Sequence, residues 1–462
     1  MGSEWTEVAL TDAYSISSGL SKPAKDFGSG YPFLAFKDVF YNTFVPAELT
    51  QLVQSSEKEQ AACSIKRGDV FLTRTSETMN ELGMSAVALK DYEKATFNGF
   101  TKRLRPKAGN GLHPEYVAYF LRSPRFRAEM MAFSTMSTRA SLNNDMIGCL
   151  KISVPPLEIQ RSIASILKTL DDRIELNRQM NSTLEAMAQA LFKSWFVDFD
   201  PVIDNALAAG HPIPDELAAR AERRAQAAQQ PSPKQPHTLP AHIRQQFPDR
   251  FVFTEEMGWV PEGWEVAPIS HVSSLNPESW TLKKHPDVLT YIDLSNAKNG
   301  RINDTVAYSF TEAPSRARRV LRKDDSIIGT VRPGNRSFAF IHDDGLTGST
   351  GFAVMRPKAS HFRSFVYLAL TRDEVIETLA HLADGGAYPA VRPDVVSSQP
   401  VALADKRIMT TFDAWVYPWL ERIGKNESTN NTLSQLRDTL LPKLLSGQLR
   451  IPEAEQLLAE AL

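Results

Sequence analysis

Four asparagines at regular spacing are the side chains that stand out for the chemistry they could do. Asn177 and Asn181 lie four residues apart, and Asn426 and Asn430 repeat that spacing at a constant shift of 249, the difference between 426 and 177. A carboxamide donates and accepts hydrogen bonds, so it needs polar partners wherever it is buried. Residues four apart share one face of a helix. We therefore expect each pair to present its amides from one helical face.

The asparagines interrupt two long heptad patterns. The first pattern has two rows of residues spaced by seven, one of Ile163, Leu170, Asn177, Leu184 and Leu191, and one of Leu167, Ile174, Asn181, Ala188 and Trp195. The second pattern has Phe412, Trp419, Asn426, Leu433 and Leu440 in one row, and Val416, Ile423, Asn430, Arg437 and Leu444 in the other. Such heptads predict a coiled-coil seam, and a buried polar layer in it disfavours slipped registers. Ordinary solvated asparagines are the alternative.

The sequence outside these helices also contains an internal repeat. The segment "IKRGDVFLTRTS" resembles "VLRKDDSIIGTVR", and "GFTKRLRPK" resembles "GFAVMRPK", in the same order in both halves. Strand-like runs followed by amphipathic helices predict a mixed fold. We expect an α/β (α+β) architecture with pseudo-twofold internal duplication, in which two similar domains are separated by two long antiparallel coiled-coil helices.

The repeats suggest domain boundaries. The expected units are a first α/β domain at 1–155, a helix at 156–200, a strap at 201–258, a second α/β domain at 259–404, a second helix at 405–448 and a tail at 449–462. The strap combines good helix formers with the proline-punctuated "PSPKQPHTLP", which is typical of a tether.

Composition excludes several classes of protein. The 462 residues are 42% apolar with a formal net charge of -2, which is typical of globular proteins. This charge neither indicates nor excludes nucleic-acid binding. Cys63 and Cys149 have no spacing suited to a disulfide framework or to zinc. The first residues lack a signal-peptide pattern, and no run of 18 apolar residues occurs. We expect a cytoplasmic protein.

Catalytic motifs are missing from the sequence. There is no P-loop, and the glycine-rich "GLTGSTG" lacks the lysine that would meet a phosphate. There is no HExxH, GxSxG or GxGxxG after a strand, and neither the cofactor loop nor the tetrapeptide of adenine methyltransferases occurs. We expect no catalytic residue and no metal site, as in a recognition and assembly subunit.

Three segments resemble a known family. "VPPLEIQRSIASILKTLDDRIELNRQMNSTLEAMAQALFKSWFVDF" resembles the central conserved region of the specificity subunit of type I restriction-modification enzymes. "LRDTLLPKLLSGQLRIPE" resembles the distal conserved region, and "FPDRFVFTEEMGWVPEGWEV" the start of the second recognition domain. One departure is "ALADKRI", where the family usually repeats a "PPLxEQ"-like segment, so the start of the second helix is less well defined.

The resemblance implies a function. Residues 1–155 and 259–404 would be target recognition domains, each reading one half of a split sequence in double-stranded DNA of a prokaryote. The helices would bind two DNA adenine methyltransferase (modification) subunits, and motor-nuclease (restriction) subunits would complete the enzyme. This chain would bind no cofactor, and S-adenosylmethionine, ATP and Mg²⁺ would belong to the partner subunits.

By position, the polar loops after the buried strands are the DNA-binding candidates: Arg74, Thr75, Ser76, Thr138, Arg139 and Ser141 in the first domain, and Thr330, Arg332, Asn335, Arg336, Tyr388 and Arg392 in the second. Arginine pairs with guanine and asparagine with adenine, whereas serine and threonine more often hold phosphate. The basic run "RARRVLRK" is a candidate for phosphate contact. Solvated loop residues are the alternative for each.

Two other functions remain open. The chain could be a coiled-coil scaffold whose domains bind proteins, or a self-contained nuclease or methyltransferase. Methylation by the purified chain alone would favour the latter, and a split methylated DNA motif would favour the specificity subunit.

Overall fold

The structure is a computed structural model that describes residues 5–76, 81–133, 135–136, 140–229, 239–386 and 388–461. It divides into two compact units. The first unit comprises Met1–Asn177 and Ser428–Leu462, and the second comprises Arg178–Glu427. Among the described residues, no helix combines the length and the apolar character that crossing a membrane requires.

The first unit is built from short strands and helices. Its strands are β1 Thr6–Ala9, β2 Tyr14–Ser18, β3 Phe27–Leu34, β4 Gln51–Val53, β5 Val70–Thr73, β6 Thr75–Ser76, β7 Ser85–Val87, β8 Thr96–Phe97, β9 Thr101–Pro106, β10 Thr135–Met136, β11 Ala140–Ser141 and β12 Lys151–Val154. Its short helices are α1 Leu10–Ala13, α2 Phe36–Tyr41, α3 Glu57–Ala62, α4 Pro114–Arg122, α5 Pro124–Phe133 and α6 Asn144–Cys149. The long helix α7 comes next, at Leu157–Phe196.

The second unit repeats this order after three helices. They are α8 Asp200–Ala209, α9 Asp215–Gln229 and α10 Ala241–Arg244. The strands are β13 Phe251–Thr254, β14 Gly258–Pro261, β15 Glu265–Pro268, β16 Ser273–Leu275, β17 Val288–Ile292, β18 Ala297–Lys298, β19 Arg301–Ile302, β20 Val306–Ser309, β21 Ala317–Val320, β22 Ser326–Gly329, β23 Phe338–Phe340, β24 Leu346–Ser349, β25 Phe352–Pro357 and β26 Pro400–Leu403. Its remaining helices are α11 Arg363–Thr371, α12 Asp373–His381, α13 Pro393–Ser397 and the start of α14 Lys406–Leu445. The residues of α14 from Ser428 onward and all of α15 Ile451–Ala461 belong to the first unit.

Sheet topology demonstrates the duplication. The order β2-β9-β5-β7 in the first unit corresponds to β16-β25-β22-β23 in the second, and the pair β1-β12 corresponds to β15-β26. A parallel pair occurs in both, β3 with β8 and β17 with β24. The predicted internal duplication of a mixed fold is therefore confirmed.

A buried ion pair recurs in the two sheets. Asp69 and Asp325 have no exposed surface. Arg105 donates to both carboxylate oxygens of Asp69 at 2.8 and 2.6 Å, and Arg356 does the same to Asp325 at 2.8 and 2.9 Å. Both arginines belong to the Arg-Pro-Lys segments on which the repeat was recognised. Two parallel bonds to one carboxylate fix its orientation as well as neutralising it.

The long helices pair antiparallel within each unit. In the first unit, Asn177 Nδ2 donates to Asn430 Oδ1 at 2.9 Å, and Arg437 bonds to Asp171 at 2.7 Å. Residue numbers thus fall along one helix as they rise along the other, which confirms the predicted orientation. The ion pair with Asp171 also accounts for the charged residue Arg437 in the seam of α14.

The second unit shows the same orientation. Asn426 Nδ2 donates to Asn181 Oδ1 at 2.7 Å, and the Phe192 and Phe412 rings lie 6.0 Å apart. Helix α14 begins at Lys406 although its sequence departs from the family there, because Asp405 accepts hydrogen bonds from the backbone of the first turn.

The segments expected as strap and tail contain folded parts. Val202, Ile243 and Phe247 belong to the core of the second unit, and Arg220 forms an ion pair with Asp200. Helix α15 buries Ala454 in the core of the first unit. Apolar side chains spaced too widely to form a sequence pattern therefore attach both segments.

Candidate nucleic-acid interface

The two predicted loop sets of the first unit come together. The backbone N–H of Leu142 donates to Arg74 O at 2.8 Å, and strand pairing places Thr75 opposite Ser141. The predicted residues Thr138 and Arg139 lie outside the described residues, as do the side chains of Ser76 and Ser141. The fold thus brings Arg74 and Thr75 beside Ser141 and Leu142 of the second predicted loop set.

The second unit joins its loops by the equivalent bond. Val391 N donates to Thr330 O at 2.9 Å, and Arg332 N donates to Pro389 O at 2.7 Å. Thr330 corresponds to Arg74 in the repeat, since each directly follows the strand that pairs with β9 or β25. Both units therefore hold two loops together through main-chain atoms at equivalent places.

Thr330 itself faces inward. Its side chain is only 5% exposed, and its hydroxyl donates to Gly351 O at 2.8 Å. The residue supports the loop in this structure, and its contact with DNA stays a prediction.

Arg332 and Tyr388 form a stacked pair in the second loop pair. The guanidinium carbon of Arg332 lies 4.6 Å from the centroid of the Tyr388 ring, and Tyr388 is 71% exposed. Arg332 has φ 48°, a left-handed conformation that side-chain-bearing residues rarely adopt and that clusters at functional sites. Stacking on an aromatic ring fixes the plane of a guanidinium. This pair can present a planar donor set to a base edge.

Two other arginines of these loops, Arg336 and Arg392, have acidic partners. Arg336 donates to Asn299 Oδ1 at 3.0 Å and pairs with Asp373 at 2.6 Å, and Asn335 closes a single helical turn that begins at Pro333. Arg392 is largely exposed and lies 3.2 Å from Asp394. Of these arginines, Arg336 would have to leave internal partners before it could contact DNA.

Two residues beside the first loop pair were not predicted from the sequence. Phe100 is 60% exposed, and its carbonyl accepts from Arg74 N at 3.0 Å. Lys102 donates to Ser18 Oγ at 3.0 Å. Burial lowers the pKa of Lys102, and the charge of Arg74 lowers it further, so an anion between these cations would relieve their repulsion. In the sequence, the aromatic Phe100 followed by the basic strand β9 could have identified these two residues as candidates.

The basic run at residues 316–323 is engaged internally. Arg316 pairs with Asp293 at 2.6 Å, Arg322 with Glu278 at 3.0 Å and Lys323 with Glu421 at 3.2 Å. Hydrogen bonding to Arg322 is the main cause that lowers the pKa of Glu278 to about 2. A phosphate would have to compete with these carboxylates, which weakens the prediction of phosphate contact here.

Comparisons with known proteins agree with the family resemblance. Residues 2–186 match the family described as type I restriction modification DNA specificity domain. The chain is similar to the type I restriction enzyme HindI specificity subunit of Haemophilus influenzae, with 29% identity over 97% of this chain and 100% of that protein. It is also similar to the MjaIX specificity subunit of Methanocaldococcus jannaschii, with 21% identity over 97% and 94%.

A solved structure shares the fold. The crystal structure of the S subunit of the type I restriction-modification system from M. genitalium aligns with a TM-score of 0.52 over 95% of this chain and 96% of that chain, at 13% identity. At this identity the likeness concerns the fold alone.

Proposed function

We propose that the chain is a specificity subunit of the type I restriction-modification class and that it reads a bipartite DNA target. Each unit would bind one half-site through its joined loops, and the spacer would be left unread. A helix of 40 residues such as α7 extends about 60 Å, so the helices would set the spacer length. The chain would itself be non-catalytic, and S-adenosylmethionine, ATP and Mg²⁺ would act on partner subunits.

The observation that carries this proposal is the repeated loop junction. Leu142 N with Arg74 O and Val391 N with Thr330 O are equivalent main-chain bonds, whereas the side chains beside them differ. Arg74, Phe100 and Lys102 accompany the first junction, and Arg332 and Tyr388 the second. Main-chain bonds position the loops and different side chains face outward, as two readers of unrelated base sequences require.

Exposed apolar residues on α7 support docking of methyltransferase subunits. Leu176 and Met187 are both exposed. Leu176 belongs to the first unit and Met187 to the second. Exposed apolar side chains on a helix that has already buried its seam favour a protein partner. We propose that two methyltransferase subunits bind the long helices and that motor-nuclease subunits join that complex.

Methylation mapping tests the proposal. The chain is co-expressed with its methyltransferase subunit in a host that lacks adenine methylation, and methyladenine is mapped across the genome. A split motif with modified adenines on opposite strands is expected. A continuous motif or none would refute bipartite reading, and the absence of any motif would favour a protein-binding scaffold.

A domain exchange adds an independent test. Replacing residues 1–155 with the corresponding segment of another specificity subunit should change one half-site while the other half-site and the spacer stay the same. A change in both half-sites would contradict the assignment of one half-site to each unit. Methylation by the purified chain without a partner would contradict a non-catalytic role.

A further inference from the structure

A two-residue turn in the second unit carries the most exposed large apolar side chain among the described residues. Thr281 N donates to Lys284 O at 3.1 Å and Lys284 N donates to Thr281 O at 3.2 Å, so Leu282 and Lys283 form the turn. Leu282 is 85% exposed. We refer to residues 281–284 as the Leu282 tip.

The base of the Leu282 tip is held on both sides. On one side, Trp280 N donates to Arg318 O at 2.8 Å and its indole N–H donates to Thr347 Oγ1 at 3.0 Å. On the other side, the His285 ring stacks on Phe310 with centroids 3.6 Å apart and planes within 6°. The turn is thus presented by an anchored frame, which lowers the entropy lost when its side chains bind.

The charge beside the leucine has one sign. Lys283 and Lys284 follow Leu282 directly and are exposed. Neither lysine forms an ion pair with any residue in the part of the chain that the structure describes. By contrast, Arg316, Arg322 and Lys323 of the nearby basic run pair with carboxylates. An apolar side chain flanked by unneutralised cations is complementary to a polyanion with an apolar interior, which is the character of stacked DNA.

Strand registers place the Leu282 tip at the end of the second unit that carries the joined loops, one of which contains residues 330–336. We refer to these as the reading loops. Strands β16 and β22 both pair antiparallel with β25, so their carboxyl ends meet at one edge, from which residues 276–287 and 330–336 both leave. The segment that leads to the tip pairs with Val320 and then with Arg318. It therefore runs toward Arg316, whose carbonyl accepts from Thr350 N beside the reading loop.

We propose that Leu282 enters a base step of duplex DNA as an apolar wedge while Lys283 and Lys284 bind the flanking phosphates. The inference rests on the proposed function and specifies how the second unit recognises its half-site. An apolar wedge partly unstacks a step and kinks the duplex. Pyrimidine–purine steps unstack most easily, so the wedge discriminates sequence without a base-edge hydrogen bond.

The corresponding connection of the first unit, between β2 and β3, is built differently. Its residues 19–26 are all described and provide no equivalent wedge, since their one large apolar side chain, Leu20, packs against the core of its own unit. The kink is therefore specific to the half-site read by the second unit. This asymmetry separates a local wedge from a general property of the fold.

The test uses the full chain in complex with its methyltransferase subunits. Duplexes carry the mapped motif, with 2-aminopurine placed in turn at each step of the second half-site. The unaltered complex should raise 2-aminopurine fluorescence at one step, which reports unstacking. Leu282→Ala should remove that signal and weaken binding about tenfold at fixed salt, as loss of a wedge predicts, without changing the salt dependence.

The lysines are tested by their salt signature. The double variant Lys283→Gln/Lys284→Gln should reduce the slope of log affinity against log salt by about 1.8, since each phosphate contact contributes roughly 0.9. It should leave the identity of the unstacked step unchanged. A slope equal to that of the unaltered complex would overturn the phosphate contacts.

A matched control and two adverse outcomes complete the design. Leu457 is an exposed leucine of α15 in the other unit, and Leu457→Ala should bind and unstack DNA as the unaltered complex does. If Leu282→Ala leaves both fluorescence and affinity unchanged, the wedge is wrong. If it weakens assembly with the methyltransferase in the absence of DNA, the tip is a protein contact and the wedge is again wrong. Failure of the unaltered complex to bind the split duplex would overturn the proposed function itself.

Discussion

The side-chain amide of Asn426 donates a 2.7 Å hydrogen bond to the side-chain carbonyl of Asn181. Asn181 is 4% exposed and Asn426 is 3% exposed. Asn181 also donates to Ile423 O at 3.3 Å. Each buried amide therefore has a partner, and any change to one of them leaves the other with unmet hydrogen-bonding capacity.

Single and paired substitutions of these asparagines should have opposite consequences. Asn181→Leu alone should lower the free energy of unfolding by about 1 to 3 kcal/mol, because it leaves the buried Asn426 amide without its hydrogen-bond acceptor. Asn181→Leu with Asn426→Leu should be at least as stable as the unaltered protein. Denaturant unfolding measures both. Equal destabilisation by the single and paired variants would contradict the shared hydrogen bond.

The role of the polar layer in register is a separate prediction. Replacement of Asn177, Asn181, Asn426 and Asn430 by leucine should permit slipped helix registers. The methylation map of this variant should then include motifs with altered spacer lengths. If spacer discrimination stays intact, the hydrogen bonds are structural and do not set the register.

Arg332 should contribute to reading one position of the second half-site. Arg332→Ala should cost about 1 to 3 kcal/mol of binding and relax the preference at one base pair, which is typical of loss of a base contact. Arg392→Ala, which alters an exposed arginine outside the stack on Tyr388, is the comparison. Uniform weakening across all sequences would instead identify Arg332 as a phosphate contact.

Glu427 should make the stability of the second unit depend on pH. Burial raises the pKa of Glu427 to about 7, with Arg301 opposing the rise and Glu185 adding to it. Since the folded pKa lies above the unfolded value, stability should be highest below about pH 4.5 and should fall as pH rises to about 7. The free energy of unfolding of Glu427→Gln minus that of the unaltered protein should therefore be larger at pH 8 than at pH 4.5. The increase should be up to about 3 kcal/mol. Unfolding of the two proteins at these pH values measures the difference.

A surface control separates this effect from general charge. Glu455 is exposed on α15, and Glu455→Gln should change stability equally at both pH values. A Glu427→Gln variant that behaved like this control would show that the buried carboxyl does not govern the pH dependence.

The repeated ion pairs should act on one half-site each. Arg356→Ala leaves Asp325 buried and uncompensated, which costs about 3 to 5 kcal/mol, and it should impair reading of the second half-site first. Arg105→Ala should do the same for the first half-site through Asp69. Limited proteolysis of each unit and methylation at single mismatched half-sites measure these losses. Equal impairment of both half-sites by either variant would contradict the separation.

Features that recur along the chain could be predicted from the sequence. Segments repeated in the same order in both halves identified the duplication, and the heptads placed Asn177 and Asn181 on the inner face of α7, because burial of an apolar stripe leaves a periodic trace. The stack of Arg332 on Tyr388 and the inward hydroxyl of Thr330 were not predicted. They depend on loop conformation and on contacts between residues far apart in sequence, which leave no period.

The main-chain character of the loop junctions has a consequence for how such a protein diversifies. Leu142 N to Arg74 O and Val391 N to Thr330 O involve no side-chain atom. Mutation at the outward-facing positions can therefore accumulate without dismantling the loop frame. Under the proposed function, each half-site preference can drift by point mutation while the frame persists, and recombination at the duplicated boundaries can exchange a whole reading unit.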